Sequence, residues 1–462
     1  MSVPEDPAAM GIRVAAGVTV MVPGRIDLMT PYVLLEQENW FEDEIVFLCR
    51  HMQAGSHIVD IGANYGLYTL SLAKIAGPTG RVWALEPASG TAHYLRRSVA
   101  LNELGHVTVI QQALSDREGT ARLSVEGNSE LNSLSGGSAG AQSEEVQLST
   151  LDVLADAHGW AGVDFLKLDA EGEEERIIDG GAAFLRSANP LIMFEIKHGA
   201  RNNLQLVEKL ATRGYRSYQL VPGLGILVPF DAAPDPFRLN LFACKPERAA
   251  MLERLGALAR ENTAEPARAD PIAHFRAAHD EKTDPAARHA HLQAALAGMT
   301  AQCAAGDDAY LWGSCARIAG ELGHRQHAIG HLERALKVCQ RKDAGPAQKP
   351  FLAASACFDT IDPGGRPAEW LRAAILDGLL TLSVFSTYFA RGTPLEQPML
   401  DRLQALRTTG FQRAPMERRR QLLRIVAGLQ QGPEHASILD ACNPDNLNPQ
   451  LWATPRRQMR PG

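Results

Sequence analysis

The chain is poor in cysteine and in aromatic residues, and it has no excess of basic charge. Its seven cysteines among 462 residues are dispersed, with no Cys-x-x-Cys pair. That excludes a disulfide framework and a sequence-legible zinc site, and points to reduced thiols in a cytoplasmic setting. Lysine and arginine total 46 against 53 acids, giving a net charge of −7. No basic cluster interleaved with aromatics appears, so nucleic acid is disfavoured as a partner. Also missing are a basic segment followed by an apolar core at the N-terminus and any run of ~20 apolar residues, so neither a leader peptide nor a membrane span is expected. The longest apolar run, Ala373 to Phe389, is interrupted by Asp377, Gly378, Thr381 and Ser383 and reads as a buried helix. The length allows two domains with separate cores.

What the chain does have is the segment His57-Ile-Val-Asp-Ile-Gly-Ala-Asn-Tyr-Gly66. An apolar run ends in Asp60, two glycines follow, and a helical pattern begins at Leu67. Strand, tight turn and helix N-terminus form the crossover that holds nucleotide-like cofactors. The spacing Asp60-x-Gly62-x-x-x-Gly66 departs from the dinucleotide fingerprint. An acid at the strand end repels a pyrophosphate but attracts an amino group and a sulfonium, both of which S-adenosylmethionine carries. A second strand, Arg81 to Leu85, leads into Glu86, 20 positions after Gly66 and placed to accept hydrogen bonds from a ribose diol.

A third strand, His106 to Gln112, brings Ala113 and Leu114 to where backbone groups can read an adenine. Ser115 and Asp116 fit the same role or an ordinary turn. Phe165 to Leu168 is a short buried strand ending in Asp169, with Glu171-Gly172 as the exit turn. In a doubly wound order this strand lies beside the first, so that Asp60 and Asp169 face one crevice at the switch point. Leu191 to Lys197 adds a fifth strand, with Glu195 and His198 at the same rim. Tyr215 to Val221 and Arg238 to Cys244 complete the sheet.

Asp60-Ile-Gly-Ala-Asn-Tyr-Gly66, Ser149-Thr-Leu-Asp152 and Leu166-Lys-Leu-Asp-Ala-Glu-Gly172 with Glu174, in that order, resemble the FkbM family of class I S-adenosylmethionine-dependent methyltransferases. The resemblance covers roughly residues 30 to 245. It implies an α/β fold, a Rossmann-like doubly wound sheet of seven strands with one antiparallel. It also implies S-adenosylmethionine as methyl donor and O-methylation of a hydroxyl, on sugars of glycans or on polyketide-type natural products. By the same analogy Asp60, Gly62, Ala63, Asn64 and Gly66 frame the methionine part, and Glu86 takes the ribose. Ala170 and Glu173 depart from the family pattern without touching the chemistry. The polar stretch Gly127 to Glu145 is where acceptor preference can vary.

A hydroxyl is a poor nucleophile, so a base or a metal should help remove its proton. Asp169, Glu171, Glu195 and His198 are the candidates, His198 having the most suitable ordinary pKa. Asp169 and Glu171 suit a magnesium ion as well, or they cap the following helix. The sequence leaves metal use open and shows no separate metal site. Lys167 reads as a supporting residue.

The organisation expected is a methyltransferase unit over 1–248, a connection over 249–285, and an all-α half over 286–462. Trp312, Ala316, Ala319, Gly323, Ala328, Leu332 and Ala335 follow tetratricopeptide-like spacing, and His291 to Leu296 matches His331 to Leu336. A plain alanine-rich bundle fits equally. This half is assigned to docking a protein partner or to self-association, with no catalytic residue. The leading reading is an O-methyltransferase acting on a sugar hydroxyl of a glycan or glycoconjugate, ahead of a natural-product hydroxyl. The competing class is a helical scaffold with a degenerate methyltransferase half, against which the intact acids speak.

Overall fold

The computed structural model describes residues 9–429, apart from 126–141, 199–200, 203, 232–234, 261–269, 305, 342–346 and 348. Most of the polar stretch from Gly127 therefore lies outside the described residues. An N-terminal hairpin, β1 (Ala9–Arg13) and β2 (Thr19–Pro23), precedes α1 (Met29–Gln37) and α2 (Asp43–His51). Alternation then begins with β3 (His57–Ile61), α3 (Leu67–Ala76), β4 (Arg81–Leu85), α4 (Ser89–Leu101) and β5 (Val107–Ile110). A small side sheet holds β6 (Ala113–Leu114), β7 (Gly119–Val125) and β8 (Gln142–Ser149). After α5 (Leu151–His158) come β9 (Phe165–Leu168), α6 (Glu174–Asp179), α7 (Ala182–Ser187) and β10 (Leu191–Glu195). A two-stranded pair, β11 (Lys197–His198) and β12 (Arg201–Asn202), leads to α8 (Gln205–Ala211), β13 (Arg216–Val221), β14 (Ile226–Pro229) and β15 (Asn240–Cys244).

The main sheet has eight strands in the order β14-β13-β15-β10-β9-β3-β4-β5. The sequence reading of seven strands is corrected by one. After Val221 the chain turns at Gly225 (φ 59°) and returns as β14, which pairs antiparallel with β13. Its apolar side chains Ile226 and Val228 are buried against helices from later in the chain, and that cover is what lets a four-residue edge strand persist. The other seven strands include one antiparallel member, β15, between β10 and β13. Strand order reverses at β3, which pairs in parallel with β4 on one side and β9 on the other. Both strand ends therefore open into one crevice.

Period-two alternation divides the core. Ile58, Val82, Phe165, Met193 and Phe242 face α2, α3 and the N-terminal hairpin. Val59, Leu85, Leu166, Leu168, Ile192 and Phe194 face α5 to α8 on the other side. The parallel strands are buried on both faces, which is why they read as continuous apolar runs.

Helices follow from α9 (Pro246–Arg254) through α10 (Pro271–Ala278), α11 (Pro285–Ala304), α12 (Ala309–Glu321) and α13 (Arg325–Arg341) to α14 (Pro367–Leu382), α15 (Glu396–Thr408) and α16 (Ala414–Val426). The similar segments at His291 and His331 fall on α11 and α13. Val221, Ile226 and Val228 share a buried cluster with Ile272, Leu292, Met299 and Cys315, so the helices continue from the sheet edge. Leu422 of α16 belongs to the cluster that contains Tyr32, Leu34 and Leu48. The cluster of α12 to α16 is built on Leu332, Trp370, Leu376, Leu403 and Phe411.

The run Ala373 to Phe389 is not one buried helix. Helix α14 stops at Leu382, where Arg325 donates to the carbonyls of Thr381 and Leu382. The chain then turns into a short 3₁₀ segment, Thr387–Ala390. The fully buried carboxylate of Glu36 on α1 fixes that turn. It accepts from Thr387 N at 3.1 Å and from the Ser386 hydroxyl, and it pairs with Arg419 Nε at 2.6 Å. Arg418 donates to the Glu36 carbonyl at 3.0 Å. A buried charge needs such compensation to persist. No helix among the described residues is long and apolar enough to cross a membrane.

Candidate methyl-transfer site

The turn after β3 sets the site. Gly62 (φ 74°) and Asn64 (φ 50°) are left-handed, and Gly66 (φ 93°) sits at the N-terminus of α3. A Cβ on Gly62 would lie 1.7 Å from the carbonyl oxygen of Asp169, so only glycine fits where the two strand ends meet. The amides of Gly62 and Ala63 both donate to the Leu85 carbonyl, at 3.1 and 2.9 Å, locking the loop to the end of β4.

Parallel pairing places Asp60 opposite Lys167, on the same face as Ile58 and Phe165. Asp60 is 1% exposed. Its Oδ2 accepts from Thr69 at 2.6 Å, while Oδ1 lacks a hydrogen bond and lies 3.9 Å from Lys167 Nζ. Burial raises the Asp60 pKa, with Lys167 and Thr69 opposing. Lys167 Nζ pairs with Asp169 at 2.7 Å. Burial disfavours its charge, but Asp169 and Asp60 outweigh that and hold the ammonium firmly protonated.

Glu86, at the end of β4, accepts from the amides of Asn64 and Ala88, both at 3.0 Å. Burial pushes its pKa up to about 7, with those two amide bonds opposing. Each oxygen thus accepts one hydrogen bond, and a carboxylate oxygen can accept a second.

Asp169, Glu171 and Glu195 each bring a carboxylate oxygen within 4.8 Å of the others. Burial and the charges of Asp169, Glu171 and Glu42 push the Glu195 pKa up to about 10, so Glu195 carries a proton at neutral pH. Glu42 closes the cluster. It accepts from the Tyr68 hydroxyl at 2.6 Å, and burial raises its pKa against that bond, with Asp169 adding to the rise.

These groups line one cavity of about 760 Å³. Asp60, Gly62, Ala63, Asn64, Glu86, Ala113, Leu114, Asp169, Glu171 and Glu195 all border it. Gly66 does not line it and instead begins α3. His198 lies on β11 by its backbone, and its side chain falls outside the described residues. Glu174 accepts from the amides of Ala170 and Gly172, and Glu173 accepts from the buried Ser115 hydroxyl at 3.0 Å. Ser115 is thereby a structural tie.

Sequence reasoning missed a second set of lining residues. Trp40, Phe41 and Glu42 come from the segment before α2, Phe237 from the loop before β15, and Phe385 and Phe389 from the turn after α14. The adjacent Trp40-Phe41 was the one visible signal. Glu42 follows them directly, and nothing local singles out Phe237, Phe385 or Phe389.

Residues 60–217 match the model of the methyltransferase FkbM domain. No curated protein matches the chain. The methyltransferase FkbM of Methylobacillus flagellatus KT is similar over 41% of this chain and 44% of its own, at 18% identity and a TM-score of 0.29. The chain thus spans less than half the length of that relative. TYW2 of M. jannaschii, solved in complex with AdoMet, is 15% identical over 53% of this chain and 87% of its own, with a TM-score of 0.30. A SAM-dependent O-methyltransferase of Thermotoga maritima is 14% identical over 55% and 79%, with a TM-score of 0.25. The fold itself is carried by the strand order and by the glycine turn at the switch point. The chain carries a methyltransferase domain of the FkbM type over residues 60–217.

Proposed function

We propose that the protein is an S-adenosylmethionine-dependent O-methyltransferase whose reaction takes place in the cavity between the ends of β3, β4 and β9. The observation that carries this is the pairing of Asp60 and Glu86 around the Gly62 turn, facing the Asp169–Glu171–Glu195 cluster across one space. The residues fit the cofactor. Asp60 Oδ1 makes no hydrogen bond and each Glu86 oxygen accepts only one, which leaves acceptor capacity for an amino group and a ribose diol. Ala113 and Leu114, buried beside the cavity, provide backbone groups for adenine.

When bound, S-adenosylmethionine supplies a methyl group activated by its sulfonium. The protein's part is to hold an acceptor oxygen in line with it and to take the proton. Of the cluster, Glu195 is protonated and so donates a hydrogen bond rather than acting as base. Asp169 and Glu171 are left as the proton-accepting pair, with Lys167 orienting Asp169. Lys167 already supplies the positive charge that Asp169 needs, which favours proton transfer over magnesium as the role of this cluster. Carboxylates beside aromatic faces suit a neutral sugar hydroxyl, the leading acceptor. A polyketide-type hydroxyl is the alternative that the aromatic side of the cavity favours.

Calorimetry tests the cofactor site. Asp60→Ala and Glu86→Ala should each weaken S-adenosylhomocysteine binding by about tenfold or more, the range expected for loss of a charge-assisted hydrogen bond. Unchanged affinity in both folded variants would sink this reading.

A further inference from the structure

The helical half contributes directly to the cavity. After α14 the chain turns so that Phe385 and Phe389 join Phe41 at ring-centroid distances of 5.1 and 5.8 Å. Trp40 stacks on Phe41 at 4.6 Å, and Phe237 meets Phe385 edge-on at 6.0 Å. Arg325 lies over Phe385, 4.2 Å from its centroid, holding that ring in place. Three separate chain segments thus form one aromatic wall. Its rim is exposed: Phe389 is 41% and Leu395 53% accessible, both bordering the cavity. Exposed apolar side chains at the mouth of a pocket are what a ligand's apolar face covers.

The opposite side is acidic. The Asp169 and Glu171 carboxylates line it, with Glu42 and the protonated Glu195 beside them, and Lys167, already paired with two acids, is the one basic residue among the described lining residues. A phosphate or carboxylate entering here would meet like charge in a partly desolvated space.

We propose that the turn Ser383–Leu395 is the acceptor-selecting wall of this site, and that it takes a flat, apolar-faced, uncharged acceptor while rejecting anionic ones. This rests on reading the cavity as the methyl-transfer site. It goes further by assigning acceptor choice to the helical half and by excluding nucleotide sugars and other phosphorylated acceptors. Glu36 makes the wall part of the site, because its carboxylate holds Ser386 and Thr387 against α1. Phe385 and Phe389 are specificity-determining residues that act by stacking and take no part in the proton transfer.

The test uses two probes with the same flat body. N-phenyl-1-naphthylamine is uncharged, and 1-anilinonaphthalene-8-sulfonate adds a sulfonate. Each is titrated by fluorescence into the full chain saturated with S-adenosylhomocysteine, whose own binding is followed by calorimetry. The neutral probe should bind at least about tenfold tighter than the sulfonate. Phe389→Ala and Phe385→Ala should weaken the neutral probe by about tenfold, as expected for losing one stacked aromatic, with S-adenosylhomocysteine affinity unchanged. Equal binding of the two probes, no binding of the neutral probe, or undiminished binding in both variants would overturn the proposal. Loss of S-adenosylhomocysteine binding in both variants would overturn it too, by showing a structural role. Failure of the wild-type protein to bind S-adenosylhomocysteine would instead defeat the methyltransferase reading, a distinct result.

Discussion

The Glu86 carboxylate should make cofactor binding depend on pH in a way that one substitution removes. Burial raises its pKa from the ordinary 4.5 to about 7. A ribose diol donates two hydrogen bonds, so the ligand prefers the ionised form. With a pKa near 7, roughly a tenth of the empty protein is ionised at pH 6 and roughly nine-tenths at pH 8. Affinity for S-adenosylhomocysteine should therefore rise about tenfold across that interval. In Glu86→Gln no such group titrates, and the rise should vanish while affinity falls at pH 8. The ligand's own amine titrates identically with both proteins and cancels in the comparison. Calorimetry at pH 6, 7 and 8 on both proteins is the assay. Equal pH slopes would refute the reasoning, whatever the absolute affinities. The same shift has a consequence for the ligand-free protein. Because the folded state binds the Glu86 proton more tightly than the unfolded chain, its stabilising contribution is full below 4.5 and is lost as pH rises through about 7.

Gly62→Ala should abolish S-adenosylhomocysteine binding and lower Tm sharply, because its Cβ would overlap the Asp169 carbonyl; a normal Tm would contradict the geometry of the turn. Lys167→Met leaves Asp60 and Asp169 uncompensated and should cost about 3–5 kcal/mol in denaturant unfolding, the range for a broken buried pair. A loss below about 1 kcal/mol would mean that the pair is solvated. Glu195→Gln should leave Tm and S-adenosylhomocysteine affinity nearly unchanged, since the side chain is already protonated at neutral pH. Glu36→Ala should destabilise by about 3–5 kcal/mol, because Arg419 stays buried without its partner. Once an acceptor is in hand, dialysis against EDTA should leave turnover within about twofold, and its loss with recovery on adding magnesium would transfer the Asp169 cluster to metal chemistry.

The strand, glycine turn and crevice proposed for the cofactor were legible because their determinants are local. An apolar run, an acid at its end and two glycines describe strand, strand end and turn within ten residues. The crevice followed from topology, since Asp60 and Asp169 end neighbouring strands. The protonation of Glu195 was not legible, because it depends on Asp169, Glu171 and Glu42 converging on it from two other segments. Phe385 and Phe389 were hidden for another reason. An aromatic in an apolar run reads as core, and nothing local marks Ser383 as the end of α14. The turn is fixed by Glu36, some 350 positions earlier in the chain. The eighth strand was missed because four apolar residues carry too little period to separate strand from buried loop.

The decisive experiment is calorimetric titration of the 462-residue chain with S-adenosylhomocysteine at pH 8. Saturable binding at one site per chain with micromolar affinity is expected, weakened about tenfold or more in Glu86→Ala. Absence of binding to protein shown to be folded would contradict it.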